Sequence, residues 1–102
     1  MKNLQSLQES KIEENCTLLK VMAHPARIQI ITLLMKHKSL NVSELVKNLQ
    51  IPQPTVSQHL MKMKGHVLGS NRKGLEVYYY INNNQAIRII EALVSTNEKR
   101  YL

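Results

Sequence analysis

The chain predicts a mainly α fold of the winged helix-turn-helix kind, with elements in the order α-α-α-α-β-β-α. Three observations lead there. Within Asn41 to Lys64, NVSELVKNLQIPQPTVSQHLMKMK, two short apolar-striped segments are broken by a proline-rich turn. Further on, the run EVYYYI is strand-like and a glycine before it marks a hairpin. Helical apolar periodicity occupies both flanks of this region.

The elements follow in order. Residues 1–8 are polar and are expected to form a frayed arm. From Glu9 to Met22, apolar residues at Ile12, Cys16, Leu19 and Val21 give a helix one apolar stripe. Ala23-His24-Pro25 interrupts it, and Pro25 suits the first turn of the next helix, where its missing N–H has no cost. That second helix, Pro25 to about His37, carries Ile28, Ile30, Ile31, Leu33, Leu34 and Met35. So many apolar positions place it at the centre of the fold. Asn41, with Glu44 three residues on, resembles a capping box. A third helix then runs to about Leu49, packing Val42, Leu45, Val46 and Leu49. Ile51-Pro52-Gln53-Pro54 forms the turn, and Pro54 can open a fourth helix reaching about Lys64.

In that fourth helix Val56, Leu60 and Met63 fall within one arc and must face the core. Gln58 lies nearly opposite, Thr55, Met61 and Lys62 also face outward, and Ser57 and His59 sit on the flanks. Strands are expected at Val67 to Asn71 and Glu76 to Ile81, joined by Arg72-Lys73-Gly74-Leu75. The second strand puts Val77, Tyr79 and Ile81 on one face, Tyr78 and Tyr80 on the other. A last helix, capped by Asn82, Asn83 or Asn84, has the stripe Ala86, Ile87, Ile90, Leu93 and Val94. Residues 1–102 thus read as one domain, with the helix-turn-helix at 41–64, a β-wing at 66–81 and a final helix at 83–97.

Composition bounds the function. The net charge is +7, and every acidic residue is a glutamate. No acid lies between Glu44 and Glu76, whereas Lys47, Lys62, Lys64, Arg72 and Lys73 do. A basic stretch beside an outward polar helix face calls for a polyanionic partner, nucleic acid before a membrane. One cysteine, Cys16, excludes an intrachain disulfide and suits a reducing cytoplasm. No apolar run reaches the roughly 20 residues of a membrane span. There is no glycine-rich phosphate loop, no Ser/His/Asp or Cys/His set at a recognisable spacing, and no aspartate at all, so the chain does not read as an enzyme. His24, His37 and His66 have no partner at metal-ligand spacing and read as structural or solvent-facing.

Specific segments extend this reading. LKVMAHPARIQIITLL resembles the second-helix signature of the ArsR/SmtB repressor family, LVKNLQIPQPTVSQHL its recognition motif, and RKGLEVYYYI its wing. The run MKGHVLGSNRKGLEVYYYINN is similar to the short PagR-type members of that family. Together the segments cover about residues 18–81, in the family's order. The resemblance implies a homodimeric winged-helix repressor that binds double-stranded DNA, with its fourth helix in the major groove and its first and last helices at the dimer interface. The interface residues would then be Ile12, Cys16, Leu19, Ile87, Ile90, Leu93 and Val94.

On that reading Gln53, Thr55, Ser57, Gln58, His59, Lys62 and Lys64 of the helix-turn-helix, with Arg72 and Lys73 of the wing, are the DNA-binding residues. Gln58 can bond base edges, best those of adenine. Thr55 and Ser57 can reach phosphates or thymine methyls. The lysines and Arg72 supply phosphate charge. His59 has two readings, donation to a phosphate or bracing of the motif against the neighbouring helix. The chain departs from the family at its metal chemistry. The two cysteine positions at the start of the third helix become Asn41 and Ser43, neither a soft-metal ligand. The last helix offers only Glu91 and Glu98, so neither metal nor cofactor is expected. Cys16 reads as a small packing residue, and as a redox switch in the alternative. A winged helix used as a protein-interaction module is a third reading, disfavoured because such a surface needs apolar anchors more than a basic stripe.

Overall fold

The backbone breaks and restarts where its capping chemistry dictates. The computed structural model describes residues 4–99, with side chains from 8 to 94; the side chain of Glu98 lies outside that range. The first helix, α1 (Leu4–Met22), ends before His24, and α2 (Pro25–His37) turns away from it at 97°. His24 is extended and caps α2: its Nδ1 accepts from the Ala26 N–H at 3.1 Å, with Pro25 in the first turn. At the other end of α2, Lys38 has φ 66° and the Ser39 N–H donates to the His37 carbonyl, a tight γ-type reversal.

That reversal leads into an element absent from the predicted order. Leu40–Asn41 forms a short strand, β1, followed by α3 (Val42–Leu49), α4 (Gln53–Met63), β2 (Leu68–Lys73), β3 (Glu76–Ile81) and α5 (Asn84–Lys99). The sheet is antiparallel, in the order β1-β3-β2. Two residues carry no strand periodicity; pairing of Leu40 with Tyr79 and Asn41 with Tyr78 makes them a strand. Boundaries also move. The helix α1 already includes residues 4–8, which were expected to be an arm, while residues 1–3 lie outside the description. The strand β2 begins at Leu68 and extends through Lys73, so Val67 precedes it and only Gly74-Leu75 remain as the loop. Gly74, at φ 65°, supplies the positive dihedral a two-residue hairpin turn requires.

Asn41 does double duty. Its Oδ1 accepts from the Glu44 N–H at 2.8 Å, and its own N–H donates to Glu44 Oε1 at 2.9 Å, completing the expected capping box. The residue is buried. Asn41→Ala is therefore expected to cost about 1–2 kcal/mol, read as a lowered urea midpoint; an unchanged midpoint would show the box to be idle.

The core lies between α2, the inner faces of α3 and α4, and the sheet. Ile30, Ile31, Leu45, Val56, Leu60, Met63, Val67 and Leu68 are fully enclosed, and Tyr79 and Ile81 pack on them from the sheet. The helix α1 contributes Leu18 and Met22 to this core; of the predicted stripe Val21 packs against it, while Ile12, Cys16 and Leu19 face solvent. Similarly, α5 buries Ala86 and Ile90. On the outer sheet face the Tyr80 ring lies over Gly69: a methyl group there would come within 2.5 Å of the ring. Gly69 is thus a site of close packing rather than a loosened backbone.

Candidate nucleic-acid interface

The helix α4 is held from beneath and left open above. Val56, Leu60 and Met63 anchor it in the core, while Gln53, Thr55, Gln58, Met61 and Lys62 are exposed and Ser57 is half-buried. Gln58, Met61 and Lys62 together line a shallow concavity on that outer face. The Thr55 and Val56 N–H groups close onto the Pro52 carbonyl, and no side chain caps the helix start. Lys64 ends α4, exposed, and Gly65 at φ 89° turns the chain towards the wing.

The wing cations sit within the strand rather than in the loop. Arg72 pairs with Val77 and Lys73 with Glu76, so the two side chains leave opposite faces of the hairpin. Lys73 Nζ lies 5.3 Å above the Tyr78 ring, an arrangement that attracts the ammonium to the ring face and limits its sweep. Between the strands Leu75 is 96% exposed, an apolar tip on a basic hairpin. Its position in the loop was legible; its near-complete exposure follows from the two-residue turn.

His59 does not share the outward position of Gln58. It is half-buried, its ring centroid is 4.4 Å from that of His24, and its Nδ1 accepts from Arg27 Nε at 3.1 Å. Of its two readings, the bracing one is the one this geometry supports. The ring must keep Nδ1 unprotonated to accept, so its proton sits on Nε2. Burial first, then the charges of His24 and Arg27, push its pKa below the ordinary histidine value. Arg27 itself was not singled out from sequence. Its partner lies 32 residues away, and no local pattern links the two.

Comparison with known proteins decides the family. Residues 24–66 match the family model described as bacterial regulatory protein, arsR family. The chain is 51% identical over 87 residues to the transcriptional repressor PagR of Bacillus anthracis, covering 85% of this chain and 88% of that protein. The chain belongs to the ArsR family. The crystal structure of PagR superposes with a TM-score of 0.79 at 52% identity, covering 83% of this chain and 98% of that one. A biofilm growth-associated repressor of Agrobacterium fabrum is 35% identical, covering 83% of this chain and 73% of that protein. The transcriptional activator HlyU of Vibrio cholerae is 33% identical, covering 89% and 83% respectively.

As an ArsR-family member the chain is a DNA-binding transcriptional regulator. Among the predicted interface residues Ile12 is 60% and Leu93 57% exposed, and Leu19, Val94 and Cys16 are exposed as well. Ile87 is half-buried. Ile90 is a correction: at 3% exposure it belongs to the core of this chain, buried with Ala86. Among the described residues no single helix is long and apolar enough to cross a membrane, and no three potential metal ligands converge.

Proposed function

We propose that the protein is a transcriptional repressor that binds an inverted-repeat operator as a homodimer and does so without sensing metal. The observation that carries this reading is the division of α4 into an enclosed apolar side and an exposed polar side flanked by Lys62, Lys64, Arg72 and Lys73. Gln58 reads base edges, Thr55 and Ser57 meet phosphates or thymine methyls, and Gln53 approaches at the helix start. The cations set affinity without reading sequence. Repression is the activity named for PagR and for the Agrobacterium protein. A compact regulator of this size represses by covering a promoter.

Support for the dimer comes from α1 and α5. The radius of gyration is 15.7 Å, against about 13 Å for a compact domain of this length, so the chain is more extended than a lone compact domain. The helices α1 and α5 each present apolar side chains to solvent, Ile12 and Leu19 on one, Leu93 and Val94 on the other. A two-fold axis through this region would cover them and present two copies of α4 to successive major grooves, about one helical turn apart. The metal-free reading rests on α3. Asn41 Oδ1, where the family's sensing cysteine would stand, is already taken by the Glu44 N–H, and Ser43 is an exposed hydroxyl.

The test is a fluorescence-anisotropy titration with promoter and scrambled duplexes. Equal affinity for the two would end the sequence-specific reading. Gln58→Ala is expected to lower discrimination at its contacted base pair by about 1–3 kcal/mol while leaving scrambled DNA bound as before. Exposure of Cys16 favours a second reading, a repressor switched by thiol oxidation. Cys16→Ser should then abolish any loss of DNA binding on mild peroxide treatment; an unaltered response in that variant excludes it.

A further inference from the structure

One guanidinium ties three helices together. Arg27, in the first turn of α2, donates from Nη1 to the Val21 carbonyl in the last turn of α1 at 2.9 Å, and from Nε to His59 Nδ1 on α4 at 3.1 Å. The His59 ring rests against His24, whose Nδ1 is in turn occupied in capping α2. The corner between α1 and α2, bent at 97°, is therefore joined to the middle of α4 through a single planar fork. Such a fork donates in two fixed directions at once, which a lysine ammonium on a flexible stem does not.

We propose that Arg27 is a positioning residue for DNA recognition, fixing the pitch of α4 against the α1–α2 corner so that its polar face meets the base edges in register. This rests on the sequence-specific reading of α4 given above. Base contacts need hydrogen-bond geometry, whereas phosphate contacts from long cationic side chains tolerate a tilted helix. Loss of the Arg27 bond therefore degrades discrimination before it degrades overall affinity.

The same geometry makes the arrangement sensitive to acid. Protonation of His59 at Nδ1 would turn the acceptor into a donor facing the Arg27 N–H. The charges that act on the ring are those of His24 and Arg27, both cationic when charged and both from the α2 side. The folded-state pKa of His59 is lowered, so the unfolded chain takes up this proton first. The stabilising contribution is complete above the unfolded value of about 6.5 and is lost as pH falls through the lower folded value.

The experiment compares wild type, Arg27→Lys, His59→Asn and His59→Phe. Each is titrated against a duplex that the wild-type protein selects from random DNA and against its scrambled counterpart, near pH 7.5 and near pH 5.5. Circular dichroism and sedimentation verify folding and oligomeric state. Asparagine places an amide oxygen close to where Nδ1 stood, and phenylalanine keeps the ring without any acceptor. At the higher pH, Arg27→Lys and His59→Phe are expected to lose about tenfold in the ratio of selected to scrambled affinity, with scrambled binding changed by no more than about twofold. His59→Asn should discriminate several-fold better than His59→Phe. Where acidification protonates His59, the wild-type ratio should fall and that of His59→Asn should fall less. A wild type that does not discriminate at all removes the sequence-specific reading and this one with it. A discriminating wild type matched by Arg27→Lys, or equal ratios for His59→Asn and His59→Phe, overturns the role of Arg27 alone.

Discussion

Raising the salt concentration from about 50 to 200 mM is expected to weaken DNA binding by about 10³–10⁵-fold. Lys62, Lys64, Arg72 and Lys73 are all exposed, four in each protomer and thus eight in the proposed dimer. If six to eight of these neutralise phosphates, the log–log slope of affinity against salt is roughly −5 to −7, since each contact contributes about −0.9. Arg72→Ala removes one contact per protomer and should flatten the slope by about 2 while weakening selected and scrambled duplexes alike. The same experiment on Gln58→Ala should leave the slope where it was. A wild-type slope shallower than about −2 would mean that no more than one such pair reaches the DNA, and the basic wing would need another purpose.

Leu93→Glu is expected to yield a folded monomer with at least about a hundredfold weaker operator binding. Leu93 is largely exposed in the protomer, so the fold tolerates the charge. In the dimer each glutamate would have to leave water without a partner, and this happens once on each side of the axis, at a cost of several kcal/mol. Half-site binding by a lone protomer also forfeits the second set of phosphate and base contacts. Sedimentation should show the dissociation directly. Ile90→Glu, one turn earlier but enclosed in the protomer, should instead lower the thermal midpoint and the helix signal together. A Leu93→Glu protein that remains dimeric and binds with full affinity would place the interface elsewhere.

How much of this was legible in the chain differs from element to element. The capping box at Asn41 and Glu44, the start of α2 at Pro25 and the inward arc of Val56, Leu60 and Met63 are local patterns with local causes, and the structure repeats them. The direction of α1 was not legible in the same way. Its apolar residues occupy two sides, Leu18 and Met22 on one, Ile12 and Leu19 on the other, and periodicity alone does not say which side meets the core. Ile90 was misassigned for the related reason that one stripe on α5 serves the core along part of its width and solvent along the rest. The strand β1 is defined by what it pairs with, and its partners Tyr78 and Tyr79 lie far along the chain. The outward residues of α4 follow from the buried ones by elimination. The bond between Arg27 and His59 does not, since it depends on how α2 and α4 cross.

Asn41 belongs to two structures at once: its backbone pairs with Tyr78 in the sheet that carries the wing, and its side chain opens α3 of the helix pair. If α4 reads bases and the wing meets the backbone as proposed, Asn41 ties the sheet that carries the wing to the helix pair that carries α4, and so helps set their separation. Within one half-site, inserting a single base pair between the bases under α4 and the stretch under the wing would shift one relative to the other by about 3.4 Å and rotate it about the duplex. On the proposed mode of binding the protein would then have to surrender one of the two contacts, so the spacing inside each half-site should matter to recognition as well as the bases.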